Sequence, residues 1–242
     1  IAKLPQFFGF TEEFFYQRNI AFVVFPLLAA YFAWKQNTPV KRIVIASIAI
    51  LVSVLYINLL PNNNQSDTLI LACLHLPLFL WAVLGFTYLG DDIKNDNRRL
   101  DFLRYNGDLV VMTAIILLAG GLFTALTINL FSLIDIHIEE FYFRNIAIWG
   151  LAAAPIVGTY LVQTNPQLVN KVSPVIAKIF TPFVLVTLVV YLVAVIYTGK
   201  DPYNDREFLL IFNLLLIGVM AITFFSIAES SKISSSKITT VM

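Results

Sequence analysis

Residues 43–60 read IVIASIAILVSVLYINLL, a run of 18 residues that contains no charged side chain. A helix needs about 20 largely apolar residues to cross the hydrocarbon core of a bilayer, so this run and its flanks suffice for one crossing. Its apolar residues are continuous, whereas the strands of membrane barrels alternate between apolar and polar residues and are about half as long. The stretch therefore predicts a transmembrane helix.

The composition of the whole chain also indicates that the protein is surrounded by lipid. Hydrophobic residues make up 59% of the 242 residues and charged residues 13%, and the mean hydropathy is +0.81. A soluble domain has about a quarter charged residues, so this chain has too few to cover a globule in water. The expected partner is the lipid bilayer. The net charge of +1 and the lack of a long basic run give no indication of nucleic-acid binding.

Seven runs have the length and apolar character of a membrane span: 19–35, 41–60, 68–89, 108–132, 145–163, 174–198 and 207–228. In lipid the backbone must form its own hydrogen bonds, and helices do this within one segment. Lys and Arg number five in the loops on the side of the N-terminal residues and eleven on the other side, which should be cytoplasmic. We expect an all-α polytopic transmembrane helix bundle of about seven spans.

Two of these runs are introduced by nearly the same phrase, EEFFYQRNIAF at 12–22 and EEFYFRNIAI at 139–148. At an offset of 126 residues, seven of nine columns are identical. Glu, Tyr, Arg and Asn are scarce in this chain, so their coincidence carries the comparison. The repeated polar motif consists of Glu13, Tyr16, Arg18 and Asn19 in the first copy and of Glu139, Tyr142, Arg144 and Asn145 in the second.

The two motifs predict a parallel internal repeat. Four spans separate the copies, so both copies enter the membrane in the same direction, related by a pseudo-twofold axis along the membrane normal. The predicted organisation is a first repeat of three spans (1–90), a cytoplasmic interfacial linker (91–107), a second repeat of four spans (108–228) and a polar tail (229–242). The second repeat has one span more, so we expect a further helix before residue 1 and hence a fragment of a longer protein.

The motif has two interpretations. It is either an anchor at the membrane interface or a paired polar site across the pseudo-twofold axis. As an anchor it would form a turn in which Asn19 and Asn145 cap the new helices and each glutamate reaches the arginine of its own copy or free helix amides. In that turn the two tyrosines should lie at headgroup depth with hydrogen-bonded hydroxyl groups.

Six further polar residues occupy the predicted spans or their outer ends: Asn58, Asp67, His75, Asn129, Asp205 and Asn213. Polar groups in hydrocarbon are costly and usually face protein or water. They form either hydrogen bonds between helices or a polar vestibule open to the outside. His75 precedes Pro77, which predicts a kink because proline removes a helix hydrogen bond.

The sequence contains no motif of the common hydrolases, nucleotide-binding proteins or redox proteins, and predicts no catalytic residue, metal ligand or cofactor. The single cysteine, Cys73, excludes an internal disulfide. The favoured function is a transporter or permease with a vestibule between the repeats. The alternative is a non-transporting subunit or scaffold that binds a membrane-protein partner or a second copy of the chain. An enzyme would need converging catalytic groups, and the sequence shows no such set.

The stretches FLRYNGDLVVMTAIILLAGGLF (Phe102 to Phe123) and FYFRNIAIWGLAAAPIVGTYLV (Phe141 to Val162), with the pair of motifs, resemble an uncharacterised family of bacterial multi-pass membrane proteins. This family, DUF4153, is frequent among Bacteroidota, and the resemblance covers most of the chain. It implies a multi-pass protein of the bacterial inner membrane. It implies no activity, because the family has none to transfer.

Overall fold

The computed structural model describes residues 12–61, 66–164 and 172–199, together with most of 206–224. Most of these residues are helical, and no strand occurs among them. The helices are α1 (Glu12–Lys35), α2 (Val40–Leu59), α3 (Asp67–Leu89), α4 (Asp96–Leu133), α5 (Glu139–Tyr142), α6 (Ile148–Thr164) and α7 (Val172–Thr198). A π-helical segment, Phe143–Ala147, joins α5 directly to α6. A shorter apolar helix, α8, occupies Phe208–Ala221.

Five helical segments of the described residues are long and apolar enough to cross a membrane: Val40–Leu59, Asp67–Leu89, Asp96–Leu133, Glu139–Thr164 and Ile179–Thr198. They confirm the all-α prediction, and they match five of the seven predicted spans in position, length and apolar character. α1 is not among the five, because Arg18 and Asn19 stand in its first half and lower its hydropathy. α8 falls short of a crossing by length.

The chain divides into two compact units. The first unit contains Ile1–Val110 and Pro155–Thr159, and the second contains Val111–Ala154 and Tyr160–Met242. The predicted linker ends at residue 107 and the predicted fourth span begins at residue 108. In the structure no helix end separates them, because α4 continues through both residues as one helix of 38 residues. The predicted repeat and domain boundaries stay predictions.

In the first unit, α1, α2 and α3 pack against one another. Their common core consists of Ala21, Phe22, Ile57, Leu76 and Leu80. In α1, Arg18, Phe22, Ala29 and Phe32 are buried and recur at helical spacing, so one face of this helix is packed. This face begins with the arginine of the repeated motif.

Aromatic rings pack at the opposite end of the first unit. Phe32 of α1 contacts Tyr88 of α3 and Tyr105 of α4 edge-on, with ring centroids 4.8 and 4.9 Å apart. Gly85 makes room for Phe102, because a Cβ atom there would lie 3.1 Å from the Phe102 ring. Large rings on three helices and one small residue thus close this end of the bundle.

Polar contacts join the two connections at that same end. Arg42, at the start of α2, donates to the carbonyl oxygen of Gly90 and pairs with Asp91 at 3.0 Å between Nε and Oδ1. Arg98 donates to Gln36 Oε1 at 3.1 Å. The connections 36–39 and 90–95 therefore lie together, as expected for two loops predicted on one side of the membrane.

The second unit has its own core, formed by Leu130, Phe131, Ile134, Tyr191 and Phe208. Phe131 meets Tyr191 edge-on at 5.5 Å between ring centroids. Ile136 and Ile138, which immediately precede the second motif, pack against this core, and so does Val195 near the end of α7. The chain therefore enters the second motif beside the end of α7.

Candidate functional site

The first copy of the motif lies inside α1 and does not form a turn. Asn19 occupies a position within the helix, and its Nδ2 donates to the Phe15 carbonyl oxygen at 3.2 Å, one turn back. The prediction that Asn19 caps a new helix is therefore wrong. The helix already includes Glu12, and Arg18 and Asn19 form hydrogen bonds to the end of α2 and the residues just after it.

Arg18 is buried, with 1% of its surface exposed, and its guanidinium group binds the end of α2. Nη1 donates to the carbonyl oxygens of Ile57 (2.9 Å) and Leu60 (2.7 Å), and Nη2 donates to that of Pro61 (3.1 Å). The last carbonyls of a helix have no partner within the helix, and the negative end of the helix dipole attracts a cation. Arg18 meets both requirements at once.

The way in which α2 ends explains the need for this arginine. A common helix end uses a glycine in the left-handed conformation, which turns the following amides back onto the last carbonyls. The capping residue of α2 is Leu60, and its backbone is extended (φ −64°, ψ 139°). The chain therefore leaves α2 without turning back, and a side chain from α1 supplies the donors.

Asn19 adds a second link between α1 and α2. Its Nδ2 donates to Asn58 Oδ1 at 3.0 Å, and Asn58 Nδ2 donates to Asn19 Oδ1 at 2.9 Å. Asn58 Nδ2 also donates to the Val54 carbonyl oxygen at 2.9 Å. Two amides that satisfy each other tolerate an apolar environment far better than either would alone. The structure thus joins one predicted vestibule residue, Asn58, to the repeated motif.

The second copy has a different geometry. α5 ends at Tyr142, and the residues Phe143–Ala147 form the π-helical segment. Arg144 is 59% exposed and pairs with Glu140, one turn back, at 3.3 Å between Nη1 and Oε1. Asn145 lies within the π segment and donates from Nδ2 to the Phe141 carbonyl oxygen at 2.9 Å. The prediction of a helix cap is therefore wrong for Asn145 as well.

The contact of Glu139 also differs from its expected pair with Arg144. Glu139 lies 3.6 Å from His137, measured between Oε1 and Nδ1, so the predicted pair of Glu139 with Arg144 is replaced by Glu140 with Arg144. The reason is helical spacing, because residues four apart lie on the same face of a helix. Tyr142 is buried. Tyr16 is half-buried and meets the Phe15 ring edge-on at 5.9 Å. The side chain of Glu13 lies outside the described residues.

Four other predicted vestibule residues are exposed. His75 Nδ1 lies 2.8 Å from the Leu71 carbonyl oxygen, and Asn129 Nδ2 donates to the Ala125 carbonyl oxygen at 2.7 Å, so each bonds to its own helix. Asp67 is exposed in the first turn of α3, and Asn213 is exposed in α8. Asp205 lies outside the described residues. The expectation of a shared polar vestibule stays a prediction.

The described part of the chain contains no group of three or more His, Cys, Asp and Glu side chains that could hold a metal ion. The motif donates hydrogen bonds in the first copy and forms an exposed ion pair in the second. Neither arrangement places a nucleophile beside a base, which a catalytic site for acyl or phosphoryl transfer requires. The chemistry of the first copy is the stabilisation of a helix end.

Sequence reasoning missed two polar contacts of the first unit. Tyr105 and Thr159 share a hydrogen bond of 2.8 Å between their hydroxyl groups. Arg42 binds the end of α3 in the way that Arg18 binds the end of α2, since Gly90 follows the last residue of that helix. A usable signal existed for Arg42: an arginine at the start of one helix and a glycine after the next helix predict this contact between antiparallel neighbours.

Comparison with known proteins gives no family assignment. No protein-family model matches the chain, and no match is found among curated proteins or solved structures. The resemblance to the DUF4153 family therefore stays a prediction.

Proposed function

We propose that the chain is a multi-pass protein of the bacterial inner membrane with seven spans, of which α1 is the first and α8 lies in the seventh. The loop charges support the orientation, and the family resemblance supports the bacterial membrane. The shared motif at the start of two helical segments, Glu12–Lys35 and Glu139–Thr164, supports the parallel repeat.

Within this architecture we propose a non-transporting membrane subunit that binds a partner helix on the exposed face of α3. The observation that carries the proposal is His75. It is exposed in the apolar stretch of α3, and the exposed residues around it are apolar: Leu71, Leu74, Leu78 and Phe79. A lone polar side chain facing lipid is costly, whereas a partner helix with a hydrogen-bonding group removes that cost.

The geometry of His75 specifies what the partner must offer. A carbonyl oxygen accepts only, so Nδ1 donates to Leu71, and in the neutral ring Nε2 is then an acceptor. Lipid chains have no donor for this atom. A hydroxyl, amide or indole group on another transmembrane helix has one, and the surrounding leucines supply apolar contact area for the same helix.

A second candidate is the transporter-like function, and the second copy of the motif favours it. π-helical turns inside α-helices occur frequently at functional sites, and this one coincides with the repeated motif. A transporter would place the polar residues of the spans in water. Water at the His75 face therefore separates the two functions.

The experiment uses the full chain with Cys73→Ala, so that a single introduced cysteine reports alone. A membrane-impermeant maleimide is applied to intact cells with Phe79→Cys, one turn after His75 on the same face. A dry docking face predicts no labelling at Phe79→Cys, while Asp67→Cys at the start of α3 is labelled as the positive control. Labelling of Phe79→Cys as fast as Asp67→Cys would reject the docking face and favour the vestibule.

Photo-crosslinking in native membranes tests the partner itself. A photoreactive residue at Leu78 should give a protein adduct that is lost in the His75→Leu variant, and the same group at Leu51 on the exposed face of α2 is the matched control. Lipid adducts alone at Leu78, or a protein adduct that His75→Leu leaves unchanged, would contradict the proposal.

A further inference from the structure

The π segment of the second copy contains residues that form regular helix in the first copy. Arg-Asn-Ile-Ala is α-helical at 18–21 and π-helical at 144–147. A π turn holds one residue more than an α turn. Its presence therefore decides which residues before the turn share a face with the residues after it.

With the π turn in place, Tyr142 lies on the packed face. Tyr142 and Ala154 are both buried and are 12 residues apart. In an unbroken α-helix, 12 residues would set them about 120° apart, because each residue turns the helix by about 100°. The extra residue of the π turn removes most of this difference. The π turn thus allows Tyr142 to be buried on the side of Ala154.

Without the π turn, Arg144 would occupy the packed face. Arg144 and Val162 are 18 residues apart, which is five turns of 3.6 residues, and Val162 is buried. This is how the first copy is built, where Arg18 shares its buried face with Phe22 and Phe32. The second copy instead leaves Arg144 on the surface in an ion pair with Glu140.

A receptor for Arg144 lies close in the fold. α7 ends at Thr198, and the carbonyl oxygen of Val195 already accepts from the backbone N–H of Gly199 and from Thr198 Oγ1, each at 3.2 Å. The last carbonyls without a partner within the helix are therefore those of Ile196, Tyr197 and Thr198. Val195 of that end packs against the same core as Ile136 and Ile138, which precede the motif. By the predicted repeat, α7 corresponds to α2, the helix whose end Arg18 binds.

We propose that the second motif is a two-state element. In the released state, which the structure describes, the π turn buries Tyr142 and Arg144 pairs with Glu140. In the docked state the segment becomes regular α-helix, Tyr142 leaves the packed face, and Arg144 donates to the last carbonyls of α7. The change from the released to the docked state breaks a weak, exposed ion pair and exposes one tyrosine. It forms charge-assisted hydrogen bonds between Arg144 and a helix end. A segment with two states requires that the interactions lost and the interactions gained contribute similar free energies.

The test compares the accessibility of position 142 in three proteins that share the changes Cys73→Ala and Tyr142→Cys. Any bias from the cysteine itself cancels between them. Glu140→Gln frees Arg144 and should raise the rate of labelling by a water-soluble maleimide about twofold, the shift that an exposed pair four residues apart supports. Arg144→Gln removes the docking group and should lower the rate at least about fivefold. Equal rates in all three proteins would overturn the proposal.

Two further measurements exclude unfolding as the cause. Leu80→Cys, at a fully buried position of the first unit, should stay unlabelled in the Glu140→Gln and Arg144→Gln backgrounds. Spin labels at Phe141 and Tyr197, both exposed, report the same transition without a change at Tyr142. Two distances are expected in Glu140→Gln and one in Arg144→Gln, whereas a single common distance in both variants would also overturn the proposal.

Discussion

The two copies of the motif share Arg-Asn-Ile-Ala and differ in backbone, burial and partners. In the first copy these residues are α-helical and Arg18 is buried against the end of α2. In the second they are π-helical and Arg144 is on the surface, paired with Glu140. Identical residues thus reach different structures, so the motif alone does not specify its conformation.

The neighbouring helices explain why the copies diverge. The last turn of α2 and the two residues after it offer three carbonyl oxygens to the first copy, and Asn58 of α2 offers its amide. When Tyr56 of α2 is aligned with Tyr191 of α7, the position of Asn58 falls on Val193, which has no amide. The equivalent position in α7 therefore has no side-chain amide like that of Asn58. In the proposed two-state element, this difference lowers the cost of releasing Arg144 from the end of α7.

The largest effect in this comparison is expected for Arg18→Ala. The change removes three hydrogen bonds from a charged donor and leaves the last carbonyls of α2 without it, so the free energy of unfolding should fall by about 3 kcal/mol. Equilibrium unfolding in detergent measures the loss. Arg18→Lys keeps the charge without the planar fork and should recover only part of it. A loss below about 1 kcal/mol would contradict the role of Arg18 as a helix cap.

A smaller effect is expected for the amide pair. Asn19→Ala leaves the Asn58 amide without its partner, and the free energy of unfolding should fall by about 1–2 kcal/mol. The double change Asn19→Leu with Asn58→Leu removes both polar groups and should bring stability back to within about 0.5 kcal/mol of the original protein. Additive losses in the double variant would show that the two amides do not act as a pair.

The sequence predicts the membrane class and five of the spans because the apolar runs are long, and length decides a crossing. It also identifies the motif and Asn58 as notable polar groups. It does not predict that Arg18 caps α2. Every residue type has a backbone carbonyl oxygen. The identities of Ile57, Leu60 and Pro61 therefore do not indicate that an arginine binds there.

The difference between the two copies was equally hidden in the sequence. Seven identities in nine columns favour one conformation for both, and the π turn arises from packing that the motif does not contain. The aromatic cluster of Phe32, Tyr88 and Tyr105 was missed for a related reason. Aromatic residues are common throughout this chain, so their positions become informative only when three helices bring them together.

The most direct test of the account is the effect of Arg144→Ala measured beside that of Arg18→Ala in the same unfolding assay. An exposed ion pair between residues four apart in a helix is worth about 0.3–0.5 kcal/mol, so Arg144→Ala should lower the free energy of unfolding by no more than about 0.5 kcal/mol. The two variants should then differ by about 2 kcal/mol or more, because only the first arginine is buried at a helix end. Equal losses for the two variants would contradict the claim that the same motif stabilises a helix end in the first unit and is released in the second.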